Sequence, residues 1–520
     1  MAKTQRPDDE QRSFERSPAD KGQLDHLPMV QPPALGAPPV LGAPPVRGPT
    51  SGELFSDPNL LGLPSRGFRT VLRNRYFLRL WIAQLISQTI QNASNYGLIV
   101  LVANLSNKVT FTGLAIVAFS LPPALFGAPA GVLVDRFNRR HVLWVSNVLR
   151  AAASVGFVVS LFIDQRAFVP ILILSFITAM IGQFFAPAEG ATIPLLVHPE
   201  ELVNALALFN ITFTLAQALG LIVLGPAIVL FVPAFHIGTA RYGFDVQSIE
   251  SLFLIVAALY AVCALLILSI PPRKFRMRQP GEPRPSRAQR LQLRSIWAGI
   301  MESWRFMRRD RMLEYAVFQL CLGGTVVAIV ATIAPQFVFQ FFHKPQTYAA
   351  LVLGPAGVGL IIGSAFTPMI VRRLRYPRTV SIGVILLGLC TILLTLVRAV
   401  AQAVHHTLWW EALPYLASAF VLIFLVGVAL DFINVPAQTR MQEHAPDFIK
   451  GRILALQGML LNAATVPSVL AIGLLADFFD LTTAMDVLAV VIVLTGLGSV
   501  YRSLSADPRP HDKETVKLVQ

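Results

Sequence analysis

The sequence predicts an all-α polytopic membrane protein with twelve transmembrane helices, arranged as two six-helix pseudo-repeats. Hydrophobic residues are 54% of the 520 residues, and charged residues are only 14%. A soluble protein carries roughly a quarter charged residues. Many apolar runs are about 20 residues long, which is enough to cross about 30 Å of hydrocarbon. These two observations predict a chain that lies largely inside a bilayer.

The apolar runs place the predicted spans at approximately 78–103, 113–134, 142–163, 168–190, 203–232, 250–271, 313–340, 348–371, 379–399, 413–438, 452–477 and 483–502. Arginine and lysine concentrate in alternate loops, which predicts that those loops and both termini are cytoplasmic. The expected organisation is a disordered, proline-rich tail, a first bundle, a basic linker, a second bundle and a short cytoplasmic tail, at 1–65, 66–271, 272–312, 313–503 and 504–520.

The linker 272–312 holds twelve Lys and Arg residues against three acids. In its second part, apolar residues that include Trp297 and Trp304 recur at helical spacing, and arginines occupy the rest of the wheel. This pattern favours a helix at about 290–309 that lies on the inner membrane surface and binds anionic lipid. The alternative is a plain basic linker. Positive-inside topology and lipid also explain the net charge of +14 better than nucleic-acid binding does.

A short charged loop separates the second and third runs, and it contains Gly131, Asp135, Arg136, Arg139 and Arg140. A purely topogenic loop needs arginines, but it needs neither Gly131 nor Asp135. The spacing resembles the G-x-x-x-D-R-x-G-R-R loop of the major facilitator superfamily, with Asn138 in place of the second glycine. Asn tolerates a left-handed turn, so we expect this exchange to be mild. The resemblance implies a latch that joins the two halves on the inside and opens during transport.

The first span carries a polar face. Gln84, Gln88, Gln91 and Asn95 are spaced four, three and four residues apart and therefore share one face of a helix. Amides that faced lipid would lose hydrogen bonds, so this face must meet protein or water. Hydrogen bonds between helices are one explanation, and the lining of a substrate cavity is the other. The further cavity candidates, at the polar positions of other spans, are Gln217, Gln319 and Asn462.

Few ionisable residues lie inside the apolar runs, and such residues usually have a function. They are Arg150 in the third span, Glu189 at the end of the fourth and Asp431 in the tenth. A buried acid could bind and release a proton, as a proton-coupled exporter requires. The alternative is a static pair, in which Arg150 meets Asp135 or Glu189. The first span contains amides and no acid, which argues against simple proton antiport.

Gly225 and Pro226 in the fifth span predict a helix kink. They resemble the core of a Gly-x-x-x-Gly-Pro motif of proton-coupled exporters, although the upstream Gly220 is one residue out of register.

Three stretches together resemble the branch of the superfamily that holds macrolide efflux pumps and the enterobactin exporter. They run from Asn74 to Ser87, from Pro187 to Val197, and from Gln442 to Arg452. The resemblance implies a monomeric secondary transporter in the cytoplasmic membrane that exports a bulky, partly apolar small molecule by alternating access. A proton is the expected coupling ion.

The same fold could instead carry a lysophospholipid or a nutrient, and a receptor or scaffold without transport is the alternative from another class. The sequence contains no nucleophile–base pair that would indicate an enzyme, and no cofactor or metal motif is recognisable. His405 and His406 form only a weak metal candidate.

Overall fold

The computed structural model describes residues 68–134, 137–164, 168–233, 235–239, 242–246, 248–275, 293–374, 376–404, 409–446 and 450–505. The predicted N-terminal tail, the first part of the linker, Asp135, Arg136 and the His405–His406 pair lie outside these residues. The described chain is built of long helices, as the sequence predicts.

Each predicted span corresponds to a helix, and we number these helices as spans 1 to 12. Their bounds are Arg75–Ser106, Val109–Val134, Arg139–Ile163, Phe168–Leu196, Leu202–Ala218 continuing through Leu219–Leu224 to Gly225–Phe231, Ser248–Leu268, Arg311–Phe342, Ala349–Leu374, Tyr376–Val404, Leu413–His444, Lys450–Phe478 and Leu481–Ser505. Shorter helices lie at Phe68–Arg73 and Leu293–Arg309, and single 3-10 turns at Pro199–Glu201, Pro272–Phe275, Gln346–Tyr348 and Trp409–Glu411.

Eleven helices in the described part of the chain are long and apolar enough to cross a membrane. Span 1 does not meet that measure, because its amide and hydroxyl residues lower its hydropathy. It is nevertheless 32 residues long, which corresponds to roughly 48 Å of helix at 1.5 Å per residue. The count of twelve is consistent with this arrangement.

Spans 1 and 7 begin and end in the same way, which supports the internal repeat. Asn74 caps span 1 by accepting hydrogen bonds from the amides of Tyr76 and Phe77, and Asp310 caps span 7 in the same manner. Both helices are 32 residues long. They end at Asn107 and His343, the two non-glycine residues in the described chain with positive φ, at 53° and 51°.

Helix pairing repeats between spans 1–6, here called the first half, and spans 7–12, the second half. In the first half, span 2 packs on span 4, and span 3 packs on spans 4 and 6. In the second half, span 8 packs on span 10, and span 9 packs on spans 10 and 12. The halves meet chiefly where span 2 lies along span 11.

Span 5 is irregular immediately before the predicted kink. Leu219–Leu224 form a π-helical segment, and the amide of Gly225 bonds the carbonyl of Gly220 five residues back. Gly220 faces the backbone of Thr89 so closely that a Cβ atom would collide with it. Pro226, which has no N–H to donate, follows directly. The Gly-Pro pair therefore coincides with a local break in the α-helix where span 5 meets span 1.

Two features differ from the sequence-based expectation. Strands Phe235–Thr239 and Tyr242–Val246 form an antiparallel hairpin between spans 5 and 6, with Phe235 opposite Val246 and Thr239 opposite Tyr242.

Asn138 is not left-handed. Its φ is −66°, and its side chain caps span 3 by accepting a hydrogen bond from the amide of Arg140. Asn138 therefore serves as a helix N-cap and does not use the left-handed conformation that asparagine tolerates.

The linker helix Leu293–Arg309 packs against protein. Ile300, Trp304 and Met307 join a cluster of apolar side chains from spans 7, 10 and 11. Glu302 pairs with Arg452 of span 11 at 3.0 Å. The helix predicted from the spacing is therefore present, and the described part of its apolar stripe is directed to the second half.

Asn74 allows a test of how the start of span 1 is held. Its Oδ1 caps the helix, and its Nδ2 donates to the carbonyl of Leu196 at the end of span 4, at 2.6 Å. We expect Asn74→Ala to lower the free energy of unfolding by about 1–2 kcal/mol. Asn74→Asp keeps the cap and loses only the donor, so its loss should be smaller. Thermal unfolding of the detergent-solubilised chain measures both, and equal losses would contradict a contribution from the cap.

Candidate functional site

A buried arginine organises the polar interior of the first half. Arg150 of span 3 is 5% exposed, and its Nη1 donates to the Ser87 hydroxyl of span 1 at 3.1 Å. Ser87 in turn donates to Oδ1 of Asn147 at 3.4 Å. A charge in an apolar helix bundle needs such partners to offset its desolvation. Span 1 therefore supplies a hydroxyl to the charge that span 3 carries.

Aromatic rings and a glycine complete the surroundings of this guanidinium. The Arg150 Cζ atom lies 5.1 Å from the ring centre of Phe185 and 5.6 Å from that of Tyr260. Both distances are within the range of a cation–π interaction. A Cβ atom on Gly182 would lie only 2.8 Å from the Arg150 Nη2 atom. The guanidinium therefore lies directly against span 4 at Gly182, and a larger residue at this position would require it to shift.

Glu189 of span 4 lies near this charge. Its carboxyl group is buried, and Oε1 has no hydrogen-bond partner among the described residues. Arg150 is the charged group that acts on it electrostatically. However, within the described chain no ion pair shorter than 4 Å joins the two. The direct Arg150–Glu189 pair that was the static alternative is therefore absent, and Asp135, the other partner considered, lies outside the described residues.

A second set of hydrogen bonds uses the polar face of span 1. The hydroxyl of Tyr260 in span 6 donates to Oε1 of Gln91 at 3.0 Å. The Nε2 of Gln91 donates to Oδ1 of Asn95 at 3.2 Å. Tyr260 also contacts Arg150, so these hydrogen bonds lie next to the buried arginine. Two of the four predicted amides thus take part in hydrogen bonding, one of them between helices.

The other predicted cavity residues are dispersed. Gln84 and Gln319 are buried, and the Oε1 atom of each has no partner among the described residues. Gln88 is half-buried and Gln217 is exposed. Asn462 donates to the carbonyl of Gly458 on its own helix, at 2.8 Å. The contacts of these residues do not unite them into one site.

The predicted loop arginines bind backbone at the ends of neighbouring helices. Arg139 donates to the carbonyl of Ala191 in span 4 at 3.0 Å, and Arg140 donates to that of Leu268, the last residue of span 6, at 2.6 Å. Around Gly131, no atom lies within 4 Å of the position that a Cβ atom would take. Arg139 and Arg140 thus bind within the first half. Any bond from Asp135 or Arg136 to the second half falls outside the described residues.

Asp431 occupies the interface between spans 8 and 10. It is 8% exposed, and its Oδ2 has no hydrogen-bond partner among the described residues. Gly363 of span 8 faces it, and a Cβ atom there would lie 3.1 Å from Oδ2.

Spans 2 and 11 touch closely at one end of the bundle and diverge toward the other. At the end where span 2 begins, a Cβ on Gly113 would lie 2.9 Å from the Val469 carbonyl oxygen. At the opposite end, the Cβ positions of Gly131 and Gly451 have open space around them. An apolar cavity of about 280 Å³ separates spans 2 and 11 on this side of their contact, between Ala124 of span 2, Leu460 of span 11 and Trp304 of the linker helix.

Sequence reasoning missed three participants. Ser87 directly precedes Gln88, and Asn147 lies three residues before Arg150. Tyr260 resembles an ordinary core residue in an apolar run. Asn147 could have been found from its position, because it lies three residues before Arg150 and helix positions i and i+3 share a face.

The arrangement of paired helices in two similar halves has a counterpart among known proteins. The family model described as the Major Facilitator Superfamily matches residues 80–468. The chain belongs to this superfamily. It is thus a multi-pass membrane transporter, as the loop motif implied.

Individual relatives are distant. The chain is 23% identical to the MFS-type transporter YfiS of Bacillus subtilis (strain 168), over 76% of this chain and 85% of the relative. It is 26% identical to the multidrug efflux pump Tap of Mycolicibacterium fortuitum, over 74% and 85%. A shorter match, 29% identical over 24% and 31%, is to macrolide efflux protein A of Streptococcus pyogenes. The macrolide-efflux resemblance is thereby confirmed at family level.

Solved structures support the fold. A bacterial homologue of the human lysosomal transporter Spinster, in an inward-facing and unoccupied conformation, superimposes with a TM-score of 0.60. It is 14% identical, and the match covers 84% of this chain and 96% of that one. At this identity the likeness concerns the fold of the transporter.

The interaction between Arg150 and Glu189 can be tested by a double-mutant cycle. Arg150→Met leaves a buried carboxyl group without the nearby cation and should destabilise the protein by roughly 3 kcal/mol. In the Glu189→Gln background the same change should cost clearly less, because no carboxylate remains to be compensated. Thermal unfolding of the four variants in detergent measures the coupling. Equal losses in both backgrounds would show that Arg150 and Glu189 do not interact.

Proposed function

We propose that this transporter exports a bulky, partly apolar small molecule, such as a drug, macrolide or siderophore-like compound, by proton-coupled alternating access. The observation that carries the proposal is the unequal contact between spans 2 and 11. These helices belong to different halves, meet tightly at one end and separate at the other. A bundle closed at one end and open at the other is what alternating access requires of each of its end states.

Export, rather than uptake, is supported by the relatives. The multidrug efflux pump and the macrolide efflux protein are both named for efflux, and the match to the pump covers most of both chains. The amides of span 1 also favour a substrate with polar groups over a lysophospholipid, which would need a more apolar path. Half-buried Gln88 and the Gln91–Asn95 pair are the groups we assign to substrate contact.

Proton coupling is assigned to Glu189 and Asp431. Each carboxyl group is buried and has one oxygen without a hydrogen-bond partner among the described residues. A carboxyl group in that situation has an oxygen free to carry a proton, and its charge is costly in an apolar bundle. Arg150 compensates Glu189, whereas Asp431 faces Gly363. We therefore assign proton exchange first to Asp431 and a supporting role to Glu189.

We propose that the protein is a monomer in the cytoplasmic membrane. In the proposed orientation, both termini and the loop arginines are on the cytoplasmic side. The tightly packed end is then the outer end. The linker helix keeps Arg305, Arg308 and Arg309 exposed while its apolar side chains pack on protein. Those arginines are the groups that would meet anionic lipid phosphates on the inner surface.

The export proposal is tested with purified protein in proteoliposomes that contain a lumenal pH dye. Macrolides, siderophores, cationic dyes and lysophospholipids are added in separate experiments. A proton flux with macrolides, dyes or siderophores supports proton-coupled export and identifies the substrate class. A flux with lysophospholipids alone would transfer the proposal to a lipid carrier. Transport of any compound without proton movement would refute the coupling.

Asp431→Asn tests the proton site. This variant keeps the shape of the side chain and removes its proton exchange, so pH-driven transport should be lost while substrate binding remains. Asp486→Asn is the matched control, because the Asp486 carboxylate in span 12 already accepts a hydrogen bond from Thr395 at 2.7 Å. Unchanged pH-driven transport in Asp431→Asn would remove this residue from the mechanism.

A further inference from the structure

A carboxylate at the end of span 11 holds the beginning of span 2. Asp477 Oδ1 accepts a hydrogen bond from the backbone amide of Val109 at 2.8 Å. Its other oxygen, Oδ2, accepts one from the amide of Thr110 at 3.0 Å. Val109 is the first residue of span 2. The first amides of a helix have no partner within the helix and carry its partial positive charge, so a carboxylate is a favourable partner for them.

This N-cap comes from the other half of the molecule. A helix cap is normally supplied by the residue just before the helix. Here Lys108 precedes span 2 and Asp477, more than 360 residues later, provides the acceptors. The cap can therefore exist only while the two halves are in contact at this end.

Glycines make the contact possible. A Cβ atom on Gly473 of span 11 would lie 2.8 Å from the Cα atom of Thr110. One on Gly113 of span 2 would lie 2.9 Å from the carbonyl oxygen of Val469. Both distances are shorter than real Cβ contacts allow. Spans 2 and 11 thus approach backbone to backbone directly beside Asp477.

Two further hydrogen bonds join the halves at the same end. The Nε2 of Gln346, before span 8, donates to Oδ1 of Asn107, after span 1, at 3.0 Å. The hydroxyl of Tyr96 in span 1 donates to the carbonyl of Thr347 at 2.7 Å. These bonds use neutral groups, whereas Asp477 supplies a carboxylate, and hydrogen bonds to ionised groups are roughly twice as strong.

We propose that Asp477 is a gate residue that sets the equilibrium between the closed and open states of this end of the transporter. The proposal rests on the alternating access proposed above. When this end opens, the amides of Val109 and Thr110 lose their acceptors and must take water instead. Asp477 therefore favours the closed state, and its removal shifts the population toward the state that is open at this end.

The test measures distances across the gate in the full-length chain in lipid nanodiscs. Nitroxide labels at Ile163→Cys and Phe479→Cys report the separation, because both residues are highly exposed. They lie at the ends of spans 3 and 11, on different halves and outside the hydrogen bonds of the gate. The three native cysteines are replaced by serine. Pulsed electron paramagnetic resonance then measures the distance between the two labels and gives the ratio of long to short distances.

We expect Asp477→Asn to raise the ratio of open to closed states on the order of tenfold, because the amide side chain offers one oxygen acceptor in place of two and removes the negative charge that a helix N-terminus favours. Asp480→Asn is the matched control. Its carboxylate lies three residues further on and accepts a hydrogen bond from the amide of Thr482 within the second half. A distance distribution of Asp477→Asn that equals that of Asp480→Asn would overturn the proposal.

A second pair of variants approaches the gate without changing a charge. Gly473→Ala would place a methyl group against Thr110 and should shift the ratio in the same direction. Gly458→Ala is its control on the same helix, since no atom lies within 4 Å of that Cβ position. An unchanged ratio in Gly473→Ala would also contradict the proposal.

The outcome is separable from that of the export proposal. If the distances shift as expected but no compound is transported with protons, the gate stands and proton-coupled export fails. If transport is observed but Asp477→Asn leaves the distances unchanged, the gate alone fails.

Discussion

Hydrogen bonds from side chains to backbone groups at helix ends hold the first half together. Asn74, Arg79, Arg139 and Arg140 each donate to a carbonyl in or next to the last turns of span 4 or span 6. The carbonyls of Leu196 and Leu268 belong to the last residues of their helices, have no i+4 partner within the helix and carry partial negative charge, so side-chain donors suit them. The arginines that predict topology therefore also join four helices into one unit.

The opposite end of the bundle uses the complementary chemistry. There the first amides of span 2 meet the carboxylate of Asp477, and the partner belongs to the other half. Arginines on carbonyls stabilise the interior of a half, whereas the carboxylate on amides connects the halves. The first kind of contact can persist through a conformational cycle, and the second kind must break whenever this end opens. Rigid units with breakable contacts between them are the physical requirement for rocking motion.

Much of the fold was predictable because its signals are local. Apolar runs gave the spans, and the arginine-rich loop gave the family and its second and third helices. Arg150, Glu189 and Asp431 were recognisable because charges are rare in such runs. The partners were not predictable, since Arg139, Arg140 and Asp477 all bind backbone atoms, which every sequence provides. The capping role of Asn138 was not predicted, although asparagine before a helical run is a cap signal.

The two buried carboxyl groups have different surroundings, and this difference bears on the proposed coupling. Asp431 faces Gly363 of span 8 and has one carboxyl oxygen without a hydrogen-bond partner among the described residues. Conversely, the first half places Arg150 beside Glu189, so that its buried acid is compensated. A titratable group acts on a conformational equilibrium only if its proton affinity differs between the two states. In the described chain Asp431 faces no charged group that corresponds to Arg150, so in the proposed mechanism its proton affinity depends on its packing and hydration between spans 8 and 10.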